Sequence, residues 1–182
     1  MRVIAGRARS MPLKTPEGMD TRPTTDRIKE TLFNIIQGEL PGCVFVDCFS
    51  GSGGIGIEAL SRGARKAYFI ENAAKPIGCI QDNLQFTRFT DQAVLLKQDA
   101  VSALSSICEE QVDVFFMDPP YGRDQERRVL EALAGVRYVT EETLIIVEAD
   151  RETRFEYAKT LGYQVLREKI YKTNKHVFLR KI

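Results

Sequence analysis

Two short acidic motifs in this chain carry residue types suited to chemistry on a flat, amino-bearing base. The first is Asp118-Pro119-Pro120-Tyr121, which follows the apolar run from Val112 to Met117. That placement predicts the carboxyl end of a buried strand, where open α/β sheets collect ligands. The tetrapeptide offers an anionic acceptor at Asp118, a backbone carbonyl that proline rigidity fixes at Pro119, and an aromatic face at Tyr121. Two prolines after an aspartate also stop a strand by themselves, so a plain turn is the competing reading.

The second motif runs from Val44 to Gly56: a short apolar strand, the loop Asp47-Cys48-Phe49-Ser50-Gly51-Ser52-Gly53, and then Ile57-Glu58-Ala59-Leu60, which reads as helix. Glycines let the backbone approach a ligand and expose N–H groups at the helix start. Gly51, Gly53 and Gly56 satisfy the G-x-G-x-x-G dinucleotide pattern, which several nucleotide-binding families share. Asp47 argues against a dehydrogenase, because a carboxylate there repels a pyrophosphate and attracts a cationic amine. Lys66-Ala67-Tyr68-Phe69-Ile70-Glu71 reads as a second strand ending in an acid, about 20 residues on, the offset at which a carboxylate accepts ribose hydroxyls.

The elements that must position these groups follow from periodicity. Val3 to Ala5 and Met11 to Leu13 read as a short hairpin. Ile28, Leu32, Ile35 and Ile36 share a helical face, with Thr24 or Thr25 as its N-cap. A helix near Pro76 to Phe86, a strand Ala93 to Gln98 and a short helix from Val101 come next. Asp99 falls between that strand and helix, where it can also act as an N-cap. Val129, Leu130 and Leu133 mark a helix, Leu144 to Val147 a buried strand, and Phe155, Ala158 and Leu161 a further helix closed by Gly162. Tyr163 to Leu166 and His176 to Leu179 close the chain as a hairpin. Strand and helix alternation ending in that hairpin predicts an α/β fold with a mostly parallel sheet and an antiparallel edge.

These residues resemble the class I S-adenosylmethionine-dependent methyltransferases, whose first motif matches Asp47 to Gly53 and whose amino-methylating motif matches Asp118 to Tyr121. Arg22-Pro23-Thr24-Thr25-Asp26-Arg27-Ile28-Lys29-Glu30-Thr31-Leu32-Phe33-Asn34 further resembles the N-terminal signature of the RsmD family, bacterial enzymes that methylate N2 of a guanine in 16S ribosomal RNA. The resemblance implies a Rossmann-like seven-stranded methyltransferase sheet in the order 3-2-1-4-5-7-6, with a short N-terminal β-hairpin and helix. It implies S-adenosyl-L-methionine as cofactor and no metal. Cofactor contacts are implied at Asp47, Phe49, Gly51 and Gly53, at Glu71 and Asn72, at Asp99 and Ala100, and at Thr24 and Thr25. Asp118, Pro119 and Tyr121 are the implied catalytic set. The expected partner is 16S ribosomal RNA within an assembling small subunit.

Composition agrees. At 182 residues and 43% hydrophobic, the chain is long enough for one domain, with residues 1–40 as an extension and 41–182 as the catalytic core. It has no apolar run long enough to span a membrane and no apolar stretch after its first arginines, so a cytoplasmic location is expected. Cys43, Cys48, Cys79 and Cys108 lack metal-ligand spacing and read as buried thiols. Net charge is only +1, yet basic residues cluster at both ends. Arg7, Arg9, Arg22, Lys169 and Lys172 are the candidate RNA contacts, against the reading that such charges are merely solvated. Glu148 and Asp150 read as strand-end acids facing solvent, and His176 as structural or surface.

Among rival functions, protein-glutamine methyltransferases characteristically carry Asn where this chain has Asp118. DNA adenine-N6 methyltransferases usually add a target-recognition domain for which there is no room. A noncatalytic RNA-binding module explains the basic ends but not Asp47, Glu71 and Asp118 at three strand ends.

Overall fold

The central apolar runs form strands because both of their faces are covered, which is why they read as continuous rather than alternating hydrophobic segments. The computed structural model describes residues 1–16 and 25–182. Its strands are β1 (Val44–Cys48), β2 (Lys66–Ile70), β3 (Ala93–Leu96), β4 (Val114–Met117), β5 (Leu144–Asp150), β6 (Tyr163–Ile170) and β7 (Asn174–Lys181). They form one sheet in the order β3-β2-β1-β4-β5-β7-β6, the order the resemblance implied. The first five run parallel, and β7 lies antiparallel to both β5 and β6.

Helices α1 (Asp26–Ile35), α2 (Gly54–Ser61), α3 (Ala74–Thr87), α4 (Ala100–Ala103) and α5 (Gln125–Ala134) cover the two faces. Val46, Phe115, Met117 and Val147 pack with Leu104, Val129 and Leu133 on one side. Phe45, Phe69, Phe116 and Ile146 pack with Leu32, Phe33, Ile57 and Ile80 on the other. Strand side chains alternate between faces, so Asp47, Asp118 and Glu148 continue the rows of Phe45, Phe116 and Ile146. Three acids on adjacent strands therefore share the face covered by α1 and α2.

The N-terminal hairpin narrows to a single bridge between Arg2 and Pro12, with the Val3 N–H donating to the Met11 carbonyl at 3.0 Å. What seats it is Glu58, fully buried on α2, which accepts from the N–H groups of Ile4 and Ala5 at 2.8 and 3.0 Å. Glu58 also pairs with Arg62 at 2.8 Å and with buried Lys29 of α1 at 3.3 Å, and the Lys29 ammonium donates to the Arg2 carbonyl. The Lys29 position of the N-terminal signature thus holds α1, α2 and the hairpin together.

Thr25 caps α1, its hydroxyl accepting from the Ile28 N–H at 3.3 Å. Thr24 and Arg22 lie outside the described residues.

Two expectations need correction. Phe155, Ala158 and Leu161 do not build a helix: only a single 3-10 turn forms at Glu156–Ala158. Phe155 and Ala158 are buried anchors for this short connection, and Gly162, at φ +84°, turns the chain into β6. The cysteines are not uniformly buried either. Cys43 and Cys48 are, whereas Cys79 is half-buried and Cys108 exposed, all with free thiols.

Candidate active site

The carboxyl ends of β1 to β5 open into a cleft of about 1410 Å³. Gly51 and Gly53 adopt φ of +54° and +79°, which lets the loop after β1 fold under the start of α2. Gly56 has a packing reason as well: a Cβ there would stand 2.4 Å from the Phe69 ring, so only glycine lets α2 lie this close to β2. Asn83 of α3 locks the loop from behind, donating to the Ser52 carbonyl at 2.9 Å.

Asp47 is 1% exposed and accepts from the Gly56 N–H at 2.9 Å. Burial pushes its carboxyl up to about 7, the Gly56 bond opposes that shift, and the nearby Glu71 charge adds to it. Glu71, one residue past β2, accepts from Gly51 N–H at 3.0 Å through one oxygen and from Asn72 and Ala73 N–H at 2.9 Å through the other. It therefore shapes the loop while facing the cleft. Asp99 caps α4, accepting from the Ser102 N–H at 3.2 Å, and the Ser102 hydroxyl together with that N–H holds its carboxyl below the usual range. Phe49, Asn72, Ala100 and Thr25 also line the cleft.

Asp118 leaves β4 with its carboxyl half-buried at the mouth and with no hydrogen-bond partner among the described residues. Burial raises it well above the carboxylate range, and the charges of Glu148 and Asp47 raise it further. Pro119 is buried beneath it, while Tyr121 stands 46% exposed.

The structure reverses the reading of Glu148 as a solvent-facing acid. It is 4% exposed, lines the cleft, and accepts from Asn174 Nδ2 at 2.6 Å. His176 is fully buried with Nε2 at 3.1 Å from the same carboxylate. Register is what joins them, because Glu148 on β5 faces His176 on β7. The acid ending an apolar strand was the available signal. Asp150, by contrast, accepts from Glu152 N–H in the following turn.

The basic residues separate into two groups. Lys169 and Lys172 line the cleft, together with Arg27, Arg123 and Arg128. Arg7 does not: its guanidinium bonds Gln92 at 2.7 Å and covers the Phe89 ring, which places it with the start of β3 rather than with the strand carboxyl ends. Arg9 is exposed and lines no part of the cleft. In the C-terminal cluster, Lys175 is buried against Glu168 within the hairpin, and Arg180 pairs with Glu39 in the 3-10 turn ahead of β1.

This sheet order, glycine loop and acidic cleft define the Rossmann-like methyltransferase class. Residues 1–180 match the family model described as "Conserved hypothetical protein 95", and the chain belongs to this family, the RsmD methyltransferases. It is 36% identical over 171 residues to YlbH of Bacillus subtilis, covering 93% of this chain and 92% of that one. It is 34% identical to Ribosomal RNA small subunit methyltransferase D of Haemophilus influenzae, covering 84% of this chain and 80% of the relative. The solved structure of yhhF from Escherichia coli superposes with a TM-score of 0.83 at 30% identity, over 100% of this chain and 97% of that one.

Proposed function

We propose that this protein transfers a methyl group from S-adenosyl-L-methionine to the exocyclic N2 amine of a guanine in small-subunit (16S) ribosomal RNA. The observation that carries the reading is Asp118, a carboxyl with no partner among the described residues, opening beside an exposed Tyr121 onto a cleft floored by the glycine loop. The names of the curated relatives support the RNA substrate.

The residues present fit the cofactor. Asp47 is a buried acid whose carboxylate is matched, among the described residues, only by the Gly56 N–H, so a bound α-ammonium group would complete it. Glu71 and Asn72 would take the ribose, Asp99 and Ala100 the adenine, and Phe49, Gly51, Gly53, Thr24 and Thr25 the remaining surface. When bound, S-adenosylmethionine supplies a methyl on a positively charged sulfur.

The chain's own residues act on the base. A guanine amine is a weak nucleophile because its lone pair is delocalised into the ring. Asp118 and the Pro119 carbonyl would accept its hydrogens from outside the ring plane, favouring a pyramidal nitrogen and offsetting the positive charge that grows there. A methylated amine would have to lose one proton, and the Asp118 carboxylate, whose proton affinity is raised by burial and by the Glu148 and Asp47 charges, would take it. Tyr121 would stack on the base, a contact worth about 1–3 kcal/mol. Extruding a stacked guanine costs a few kcal/mol. Alignment in the cleft supplies proximity.

Lys169, Lys172, Arg27, Arg123 and Arg128 would hold phosphates around the mouth. Residues 1–40 would serve as an extension on a catalytic core formed by 41–182. The substrate in this reading is RNA within an assembling subunit, in the cytoplasm. Nucleoside mass spectrometry of ribosomal RNA from cells with and without the protein tests it: one N2-methylguanosine should disappear, and an unchanged profile would refute the target.

A further inference from the structure

Glu148 lies on β5 in the cleft wall, two residues before the strand's end, and two side chains of β7 fix it there. Asn174 donates to Oε1 at 2.6 Å, and His176 Nε2 lies 3.1 Å from Oε2. His176 is held in turn, with the Tyr171 hydroxyl 3.3 Å from Nδ1 and the Phe116 ring edge-on to it. The carboxylate so placed meets the Tyr121 hydroxyl at 3.5 Å through Oε1. Tyr121 follows Pro119-Pro120 and opens a turn with Gly122, at φ +71°, and its ring is half in solvent. Among the described residues, no other hydrogen bond reaches the Tyr121 phenol.

We infer that Glu148 is a positioning residue: it tethers the Tyr121 phenol and so sets the angle at which the ring meets the target base, with Asn174 and His176 holding the tether. The inference rests on the base-methylation reading above and adds β7 to the working parts of the site. An ionised carboxylate can only accept, so it orients the phenol as a donor. At 3.5 Å the bond is long in the free protein, as catalytic hydrogen bonds often are before substrate tightens them. The acids facing the phenol are Glu148 from β5, and Asp118 and Asp150 at the ends of β4 and β5. Of these three, Glu148 alone is in hydrogen-bond reach.

Two measurements on the full chain test this. The six tyrosines are replaced by 3-fluorotyrosine, whose phenol titrates in an accessible range, and the Tyr121 fluorine signal is assigned by its loss in Tyr121→Phe. With a neighbouring negative charge removed, that signal should titrate about one unit lower in Glu148→Gln than in the parent. In methylation kinetics, Glu148→Ala and Tyr121→Phe should each raise the KM for small-subunit RNA about fivefold, the effect of one lost hydrogen bond, with kcat within about twofold. The double variant should be no worse than either single one, because both remove the same contact. An unshifted fluorine titration, or a double-variant KM equal to the product of the two single effects, would overturn the tether. A parent that methylates no RNA would overturn the substrate reading instead, and the fluorine titration would still decide the tether.

Discussion

Replacing Asp47 by Asn should stabilise the free protein at pH 8 while weakening its cofactor binding. The carboxyl is buried, and its affinity for a proton rises from 3.8 to about 7 on folding. A group whose folded value is raised contributes stability that is fully present below about pH 4 and is lost as pH climbs to about 7. The full difference of about three units corresponds to about 4 kcal/mol at 1.36 kcal/mol per unit. An amide is itself costly to bury, so about 2 kcal/mol is expected to be recovered in Asp47→Asn at pH 8. For a chain of this length that is a rise in Tm of about 4–8 °C over the parent, shrinking toward zero at pH 5 where Asp47 is already neutral. Calorimetric titration should show the opposite preference. Parental affinity for S-adenosylmethionine should fall about tenfold per pH unit below the Asp47 value, because the proton competes with the ammonium group, and the Asn variant should lose that slope. A Tm difference that is the same at pH 5 and pH 8, or an unchanged affinity slope in Asp47→Asn, would refute the assignment.

Asp118→Ala should keep the fold and most cofactor affinity yet slow single-turnover methylation by about 10²–10³-fold, with Asp118→Asn milder; a near-parental rate would reduce the tetrapeptide to a turn. The parental rate should also decline on the acid side at a pH above the ordinary carboxylate range, since Asp118 must be ionised and its proton affinity is raised by burial, Glu148 and Asp47. Glu71→Ala should weaken S-adenosylmethionine binding about 10–100-fold by calorimetry, because it removes ribose acceptors and also frees the Gly51, Asn72 and Ala73 N–H groups; unchanged affinity would remove Glu71 from the site. Lys169→Ala with Lys172→Ala should lower RNA affinity and flatten its logarithmic salt slope by about 1.5. Arg7→Ala should leave that slope alone and lower Tm, because its guanidinium serves Gln92 and Phe89; a flattened slope would place Arg7 on the RNA after all.

Much of the site was legible because its parts are contiguous in the chain. A strand followed by Asp47 to Gly53, another ending at Glu71, and Met117 followed by Asp-Pro-Pro-Tyr each announce a strand end, and strand ends of a parallel sheet share one edge. The parity of Phe45 with Asp47 and of Phe116 with Asp118 already put those acids on one face. Glu148 has the same parity after Ile146, but its role depends on β7, whose antiparallel return sets Asn174 and His176 against it. Local patterning cannot report such a partner, because the pairing joins residues 26 and 28 positions away.

The charge clusters show the same division. Sequence counts Arg2, Arg7, Arg9 and Lys14 alike, yet Arg2 pairs with Asp26, Lys14 with Asp82 and Arg7 with Gln92. Arg123 and Arg128, distant in sequence from both basic ends, come to the cleft beside Lys169 and Lys172. The sequence by itself determined the α/β alternation, the glycine loop and the strand-end acids, since these depend on apolar periodicity and on backbone freedom within a few residues. Only the tertiary structure decided which long side chains are free for a partner, and that Glu148 is walled in by β7, because burial and charge pairing depend on neighbours that chain topology, not chain order, supplies.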